Sequence, residues 1–251
     1  FGKYSKTNVA VMYVNSIANE KLVQEVLQRL KKIDTDSISG SNYLEEILDD
    51  NPYSLFPIAL ESDRPDKVAS ALLEGRIALF QNNNPFALIV PTFFASFFQA
   101  ADDYYRNFYI GTLLRYLRYL SALITVFLPA IYVSFTTFNQ EMIPTALLIT
   151  LANQRAGVPF PVVIEALSMG AAFEILKEAG TRLPRPIGQA VSIVGALIIG
   201  EAAVSAGIVS PAMVIVTALT AIASFTIPSQ ELETPLLLLR LIITVASGFL
   251  G

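Results

Sequence analysis

Four charged residues stand inside otherwise apolar stretches of the second half of the chain: Glu165, Glu174, Glu201 and Arg240. Rings of Glu side chains attract cations in channel proteins, so these carboxylates are candidates for an ion path. They are equally candidates for structural ion pairs, for example between Glu201 and Arg240. Because a charge that faces lipid is costly, we expect Glu201 to face protein or water. Glu165, Glu174 and Arg240 are its possible companions at membrane depth.

The acidic residues of the first half predict no metal or catalytic site. The pairs Asp34/Asp36 and Asp49/Asp50 lack the spacing of an EF-hand loop and are typical of solvated helix ends. The charged run at 63–67 is explained by the cap and first turn of a helix.

Cysteine and histidine are absent from the sequence. Their absence excludes disulfides, thiol catalysis and histidine-ligated metals. Glycine-rich phosphate loops are missing as well, and a net charge of −4 gives no signal for nucleic-acid binding. We therefore expect no enzymatic activity and no cofactor.

The charged residues divide the chain near residue 107. Residues 1–107 hold ten Lys and Arg and fourteen Asp and Glu, whereas residues 108–251 hold seven of each class. This division predicts a water-soluble domain over 1–107 and a transmembrane helical domain over 108–251.

The soluble half has the pattern of a small α/β or α+β domain. Short β-branched or apolar runs predict strands, and apolar residues at helical spacing predict amphipathic helices. The predicted strands cover 8–14, 76–80 and 86–90, and the predicted helices cover 19–33, 43–50 and 64–74.

Long uncharged runs in the second half predict membrane spans. Residues 119–140 are 22 consecutive uncharged residues, which exceeds the roughly 20 that cross a hydrocarbon core. The stretch from 187 to 228 is too long for one crossing and is divided at Gly207 and Pro211. We expect spans over 187–207, 210–228 and 235–251.

Residues 142–178 allow two interpretations. The Pro-containing segment 157–161 interrupts the helix, and the apolar part that follows carries Glu165 and Glu174. One interpretation is a broken or re-entrant helix that spans the membrane near 157–178. The other is a pair of interfacial helices.

Basic residues cluster on both sides of the first two predicted spans, and short basic loops stay in the cytoplasm. If residues 142–178 recross the membrane, both basic clusters lie on one side and the soluble domain is expected to be cytoplasmic. The basic residues are Arg106, Arg115, Arg118, Lys177, Arg182 and Arg185. Arg182 and Arg185 either fix the topology or dock on the acidic soluble domain.

Small residues recur four apart in the predicted span 187–207, at Ala196 and Gly200 and again at Ala203 and Gly207. Such pairs allow helices to approach closely in lipid. They serve either packing within one subunit or contact between protomers.

Several longer motifs resemble the GerA family, the A subunits of spore germinant receptors in endospore-forming bacteria. The motifs are Gly157-Val-Pro-Phe-Pro161, Arg182-Leu-Pro-Arg-Pro-Ile-Gly-Gln189, Ile199-Gly-Glu-Ala-Ala203 and Ile208-Val-Ser-Pro-Ala-Met-Val214. The resemblance extends over nearly the whole chain, and a related sporulation protein shares the domain plan. The family's soluble portion is longer, so we expect a fragment that lacks the first part of that portion and the C-terminal end.

The resemblance implies a multi-pass protein of the inner spore membrane, with a B-type membrane subunit and a C-type lipoprotein as partners. It implies a ring-shaped homo-oligomer that acts as an ion channel, with nutrient binding assigned to the B-type subunit. The residues themselves leave two alternatives open. A secondary transporter would also place carboxylates and broken helices in the membrane, and a structural scaffold would need no ion path.

Overall fold

The structure is a computed structural model that describes residues 1–4, 6–38, 40–49, 51, 54–184, 195 and 198–251. The described chain forms two compact units. The first comprises Phe1–Arg115 and Pro228–Pro235, and the second comprises Tyr116–Ile227 and Leu236–Gly251. The short segment Pro228–Pro235 therefore belongs to the first unit although the chain on either side of it belongs to the second.

A four-stranded antiparallel sheet forms the centre of the first unit, in the order β1-β3-β4-β2. Because all its pairings are antiparallel, the unit is α+β, one of the two classes that the sequence predicted. The central hairpin pairs Leu79 with Leu88, and Asn83 adopts a φ of 64° in its turn. The strands are β1 (Val9–Met12), β2 (Leu60–Ser62), β3 (Ile77–Gln81) and β4 (Ala87–Val90).

The three predicted helices of this unit are confirmed as α1 (Glu20–Lys31), α2 (Ser41–Leu48) and α3 (Pro65–Leu73). The apolar faces of α1 and α2 bury against one face of the sheet, as their helical spacing requires. This core contains Val23, Val26, Leu30, Leu44, Ile77, Leu79 and Leu88. The helix α3 packs against β2, β3 and β4.

Gly75 makes the sharp turn from α3 into β3. Its φ of +85° lies in the left-handed region, and a Cβ at this position would lie 3.1 Å from the carbonyl oxygen of Ile17. Both the backbone angle and the close approach favour glycine at this position.

Helices make up the second unit. Residues 198–205 are helical and are called α7, while residues 185–194, 196 and 197 lie outside the described part, so most of the predicted span 187–207 cannot be compared. The segment after Arg155 separates α5 from α6 at the predicted Pro-containing interruption. The other helices are α4 (Phe108–Thr137), α5 (Thr145–Arg155), α6 (Val162–Arg182), α8 (Pro211–Ser224) and α9 (Glu233–Leu250).

Two of the described helices are long and apolar enough to cross a membrane, Phe108–Thr137 and Gln230–Leu250. Only 39% and 28% of their most apolar windows are buried within the chain. The helix α8 has 14 residues, so its length is about 21 Å, which is less than the ~30 Å hydrocarbon core. Among the described residues, the expected spans 119–140 and 235–251 are matched by these two candidate helices, whereas the expected spans 157–178 and 210–228 are not. The expected span 187–207 lies mostly outside the described residues.

A small apolar core joins α4, α6 and the start of α8. It consists of Val133, Val162, Ala166, Val209 and Met213, and Val133 and Met213 are fully buried. This core fixes the first turns of α6 and α8, which carry the polar groups described next.

Candidate functional site

Glu165 is the most deeply buried charge of the helical unit. It lies in the first turn of α6, and its side chain has no exposed surface. One carboxylate oxygen, Oε1, lies 3.0 Å from Nη2 of Arg155, the last residue of α5. This contact is an ion pair whose N–H direction does not meet hydrogen-bond geometry, so Oε1 lacks a hydrogen-bond donor among the described residues.

The second oxygen of Glu165 is bound by Ser210, the N-cap residue of α8. The Ser210 N–H and Oγ–H groups donate to Glu165 Oε2 over 3.0 and 2.9 Å. Ser210 is fully buried, and its Oγ also accepts from the N–H of Met213 at 3.4 Å. Ser210 therefore caps α8 and binds the carboxylate at the same time. The end of α5 and the beginnings of α6 and α8 are joined at one carboxylate.

Tyr132 of α4 lies beside this cluster. Its side chain packs against the core around Met213, and its buried hydroxyl is close to Ser210. Among the described residues, this hydroxyl has no partner at normal hydrogen-bond geometry. The cluster of Glu165, Arg155, Ser210 and Tyr132 thus holds a buried charge pair together with an unused hydroxyl and an unused carboxylate lone pair.

A second buried ion pair joins α6 to α9. Arg240 Nη2 donates to Glu174 Oε1 over 2.8 Å, and the two side chains are 8% and 28% exposed. The suggested pairing of Arg240 with Glu201 is therefore replaced by a pairing with Glu174. The packing of α6 against α9 decides this choice, and sequence spacing carries no information about it.

A cavity of about 20 Å³ lies next to this ion pair, and Arg240, Thr220 and Thr244 are among its lining residues. Thr244 Oγ1 is buried and has no hydrogen-bond partner within the described ranges. The volume is that of a single water molecule, and the polar lining suits one.

Glu201 differs from the other candidate charges. It lies on α7, its side chain is exposed, and it forms neither an ion pair nor a hydrogen bond with a residue that the structure describes. The other three candidate charges are in ion pairs: Glu165, Glu174 and Arg240. Any partner of the Glu201 carboxylate must lie outside the described residues.

The small residues of α7 face the core of their own unit. A Cβ on Gly200 would lie 3.3 Å from Cγ1 of Val214 in α8, and Ala203 packs against the core around Met213. Gly207 ends the helix with a φ of +66°. Ala196 lies outside the described residues, and a role of this face between protomers stays a prediction.

The predicted basic loop is described only at its beginning. Arg182 Nε donates to Glu178 Oε1 over 2.8 Å, one turn earlier on α6, and both side chains are exposed. Arg185 lies outside the described residues. Both suggested roles of this loop, fixing the topology and docking on the first unit, stay predictions.

The segment Pro228–Pro235 is anchored in the first unit. The Glu231 carboxylate accepts hydrogen bonds from the backbone N–H of Glu61 on edge strand β2 and from the hydroxyl of Ser229. Leu232 beside it has no exposed surface. The chain that leads from α8 to α9 is thus held by the edge of the sheet.

Comparison with known proteins shows which family the chain belongs to. The family model described as "Bacillus/Clostridium GerA spore germination protein" matches residues 1–251. The chain belongs to the GerA family. The resemblance found in the sequence motifs is confirmed.

Relatives of this GerA-family chain include named germination proteins. "Spore germination protein KA" of Bacillus subtilis is 54% identical over 250 residues, which cover all of this chain and 46% of that protein. "Uncharacterized membrane protein YfkQ" of the same organism is 46% identical over 250 residues, with 100% and 49% covered. The GerA-family chain thus spans about half the length of these relatives.

A solved structure also matches, the N-terminal domain of the A subunit of the Bacillus megaterium spore germinant receptor GerK3. The identity is 48%, the match covers 37% of this chain and 36% of that one, and the TM-score is 0.29.

Three residues of the site in this GerA-family chain were not predicted: Arg155, Ser210 and Tyr132. The Ser210-Pro211 pair is a readable signal, because Ser at the N-cap followed by Pro at the first helical position is typical of a helix start. The contact with Glu165, 45 residues earlier, has no such local signal.

Proposed function

We propose that this chain is part of the membrane subunit of a nutrient-sensing spore germinant receptor, and that copies of it form an oligomeric ion channel that triggers germination. The family match and the germination proteins among its relatives support the germination role. The two apolar helices α4 and α9 support a place in the membrane. The proposed partners are a B-type membrane subunit and a C-type lipoprotein, in the inner spore membrane with the first unit in the cytoplasm.

The contrast between Glu201 and the paired charges carries the channel proposal. Glu165 and Glu174 each have an arginine partner within 3.0 Å. Glu201 has an exposed carboxylate on an apolar helix and no partner among the described residues. A charge in hydrocarbon costs about 2.5 kcal/mol or more, so water or another protein surface must surround it. A water-filled path shared by several copies supplies both conditions.

The segment Pro228–Pro235 offers a route for the signal. Its ends continue into α8 and α9, while Glu231 and Leu232 are held in the first unit. A change in the first unit when the receptor binds a nutrient would therefore displace the connection between these two helices. We propose that this segment couples receptor signalling to the membrane helices.

Spores that carry the full-length protein test the proposal. Glu201→Gln should reduce nutrient-triggered cation release several-fold, while the protein level and co-purification with the B-type subunit stay normal. Glu141→Gln is the matched control, because Glu141 is an exposed carboxylate of the same unit outside its α-helices. Equal cation release in both variants would contradict a role of Glu201 in the ion path.

A secondary transporter is the second candidate, and the interruption between α5 and α6 favours it. Glu165 and Arg155 lie on the two sides of this interruption, and broken helices hold the binding sites of several transporter folds. Solute uptake by the purified full-length protein, without any nutrient signal, would support the transporter. Ion flux that appears only on signalling would support the channel.

A further inference from the structure

A cavity of about 290 Å³ lies within the first unit, next to α3 and the sheet. Its wall is formed by β2, α3, β4, the residue that precedes β3, and the two short 3-10 turns Phe94–Phe98 and Ala101–Tyr105. This α3 cavity is just below the size range of typical small-molecule pockets. Asp66 and Lys67, the last two residues of the charged run at 63–67, line it.

Arg76 lies in the wall of the α3 cavity and has one hydrogen-bond donor that is not used by the described residues. The residue is only 9% exposed, and its guanidinium lies 5.0 Å from the centre of the Phe93 ring. Nη2 donates to Ser96 Oγ over 3.0 Å and contacts Glu74 Oε2 at 2.8 Å. Nε is buried and has no hydrogen-bond partner among the described residues. A buried N–H group without a partner is costly, so it indicates a missing acceptor.

Lys67 adds a positive charge to the same wall. Lys67 is half-buried, and this burial lowers the pKa of its ammonium, while the nearby Glu231 acts to raise that pKa. Within the described ranges, its ammonium forms no ion pair. The acids of the wall are already paired, since Asp66 binds Arg64 at 2.8 Å, which holds the pKa of Asp66 at about 2. Lys67 is therefore a charged residue of the wall that has no ion-pair partner among the described residues.

The remaining wall is apolar. Leu60, Ala71 and Ile89 are almost fully buried and line the α3 cavity, and the exposed rings of Tyr104 and Tyr105 stand beside them. We propose that the α3 cavity binds a small organic anion, whose carboxylate or phosphate group lies between Lys67 and Arg76 and whose non-polar part contacts the apolar wall. This site is separate from the ion path and does not depend on the proposed channel function.

Binding of simple anions to the full-length protein in detergent tests this site, with calorimetry or ligand-observed NMR as the measurement. Benzoate and phenyl phosphate are the probes for the two kinds of head group, and benzylamine is the cationic control of similar size. We expect saturable binding of at least one anion and none of benzylamine. No saturable binding of either anion, or equal binding of benzylamine, would overturn the proposal. Inorganic phosphate that binds as tightly as phenyl phosphate would overturn the role of the apolar wall.

Substitutions at Lys67 and Ala71 test whether the anion binds in the α3 cavity. Lys67→Gln should weaken anion binding at least tenfold and Lys67→Arg should restore it, whereas Lys21→Gln, an exposed lysine on α1, should leave binding unchanged. Ala71→Leu keeps every charge but fills part of the α3 cavity, so it should abolish binding of the bulky probes. Unchanged binding in both Lys67→Gln and Ala71→Leu would place the anion elsewhere and overturn the site.

Discussion

Neutralising Glu165 should destabilise the helical unit much more than neutralising an exposed carboxylate of the same helix. In Glu165→Gln the amide still accepts a hydrogen bond from Ser210, but Arg155 loses its charge partner. The Arg155 side chain is 19% exposed and the Glu165 side chain is fully buried. The comparison is Glu178→Gln, which removes the carboxylate of an exposed pair with Arg182 on the same helix.

The structure sets the expected size of the difference. Breaking a buried ion pair costs about 3–5 kcal/mol, and the low end applies because Arg155 retains some contact with water. An exposed pair one turn apart contributes about 0.3–0.5 kcal/mol. With roughly 2–4 °C per kcal/mol for a cooperatively melting domain of about 150–250 residues, Glu165→Gln should lower the melting temperature of the transition that involves the helical unit by about 6–12 °C. Glu178→Gln should lower it by less than about 2 °C.

Thermal melting of the full-length protein in detergent, at one scan rate, measures both variants. The double variant Glu165→Gln with Arg155→Gln should lose less stability than the two single variants lose together, because it leaves no unpaired buried charge. Equal shifts for Glu165→Gln and Glu178→Gln would contradict the expected difference between a buried and an exposed ion pair. A strictly additive double variant would do so as well.

Three further predictions concern packing, charge and pH. Gly248→Ala places a Cβ 2.2 Å from Cγ2 of Val163, so it should lower the free energy of unfolding by about 1–3 kcal/mol in a thermal melt. Adding Val163→Ala should recover most of this stability. An unchanged stability in Gly248→Ala would contradict the close approach. Glu174→Arg and Arg240→Glu should each reduce the protein level, and the two changes together should restore it, because the ion pair is then reversed. Normal protein levels in both single variants would contradict the importance of this pair. Burial raises the pKa of Glu45 above its ordinary 4.5, so its ionisation weakens the folded state as pH rises through that range. Glu45→Gln should therefore raise the melting temperature at pH 7 and have little effect at pH 4, and the opposite pH dependence would contradict the burial argument.

Helical and strand periodicity predicted most elements of the first unit, because each element buries one face and its apolar residues recur at that element's period. The strand β2 was missed. It has three residues, Leu60–Ser62, at the edge of the sheet, and so short a run has no measurable alternation. The anchoring of Glu231 by the neighbouring N–H group of Glu61 was missed for the same reason, since it needs that edge.

The sequence identified Glu165, Glu174 and Arg240 as charges that need partners, because their surroundings are apolar. It could not identify the partners. Glu174 and Arg240 are 66 residues apart, and their contact depends on how α6 packs against α9. Arg155 precedes the predicted helix interruption, and a basic residue is common at the end of a helix. Its position in the sequence therefore does not indicate that it forms an ion pair with Glu165.

Cation flux through the full-length protein in liposomes tests whether the helical unit forms an ion path. Protein reconstituted with its B-type and C-type partners should conduct cations when the receptor is stimulated, and Glu201→Gln should reduce that flux or its cation selectivity without loss of assembly. Glu141→Gln should leave the flux unchanged. Stimulated liposomes that release no cations, or normal selective flux in Glu201→Gln at normal protein level, would contradict the assignment of this helical unit as an ion path.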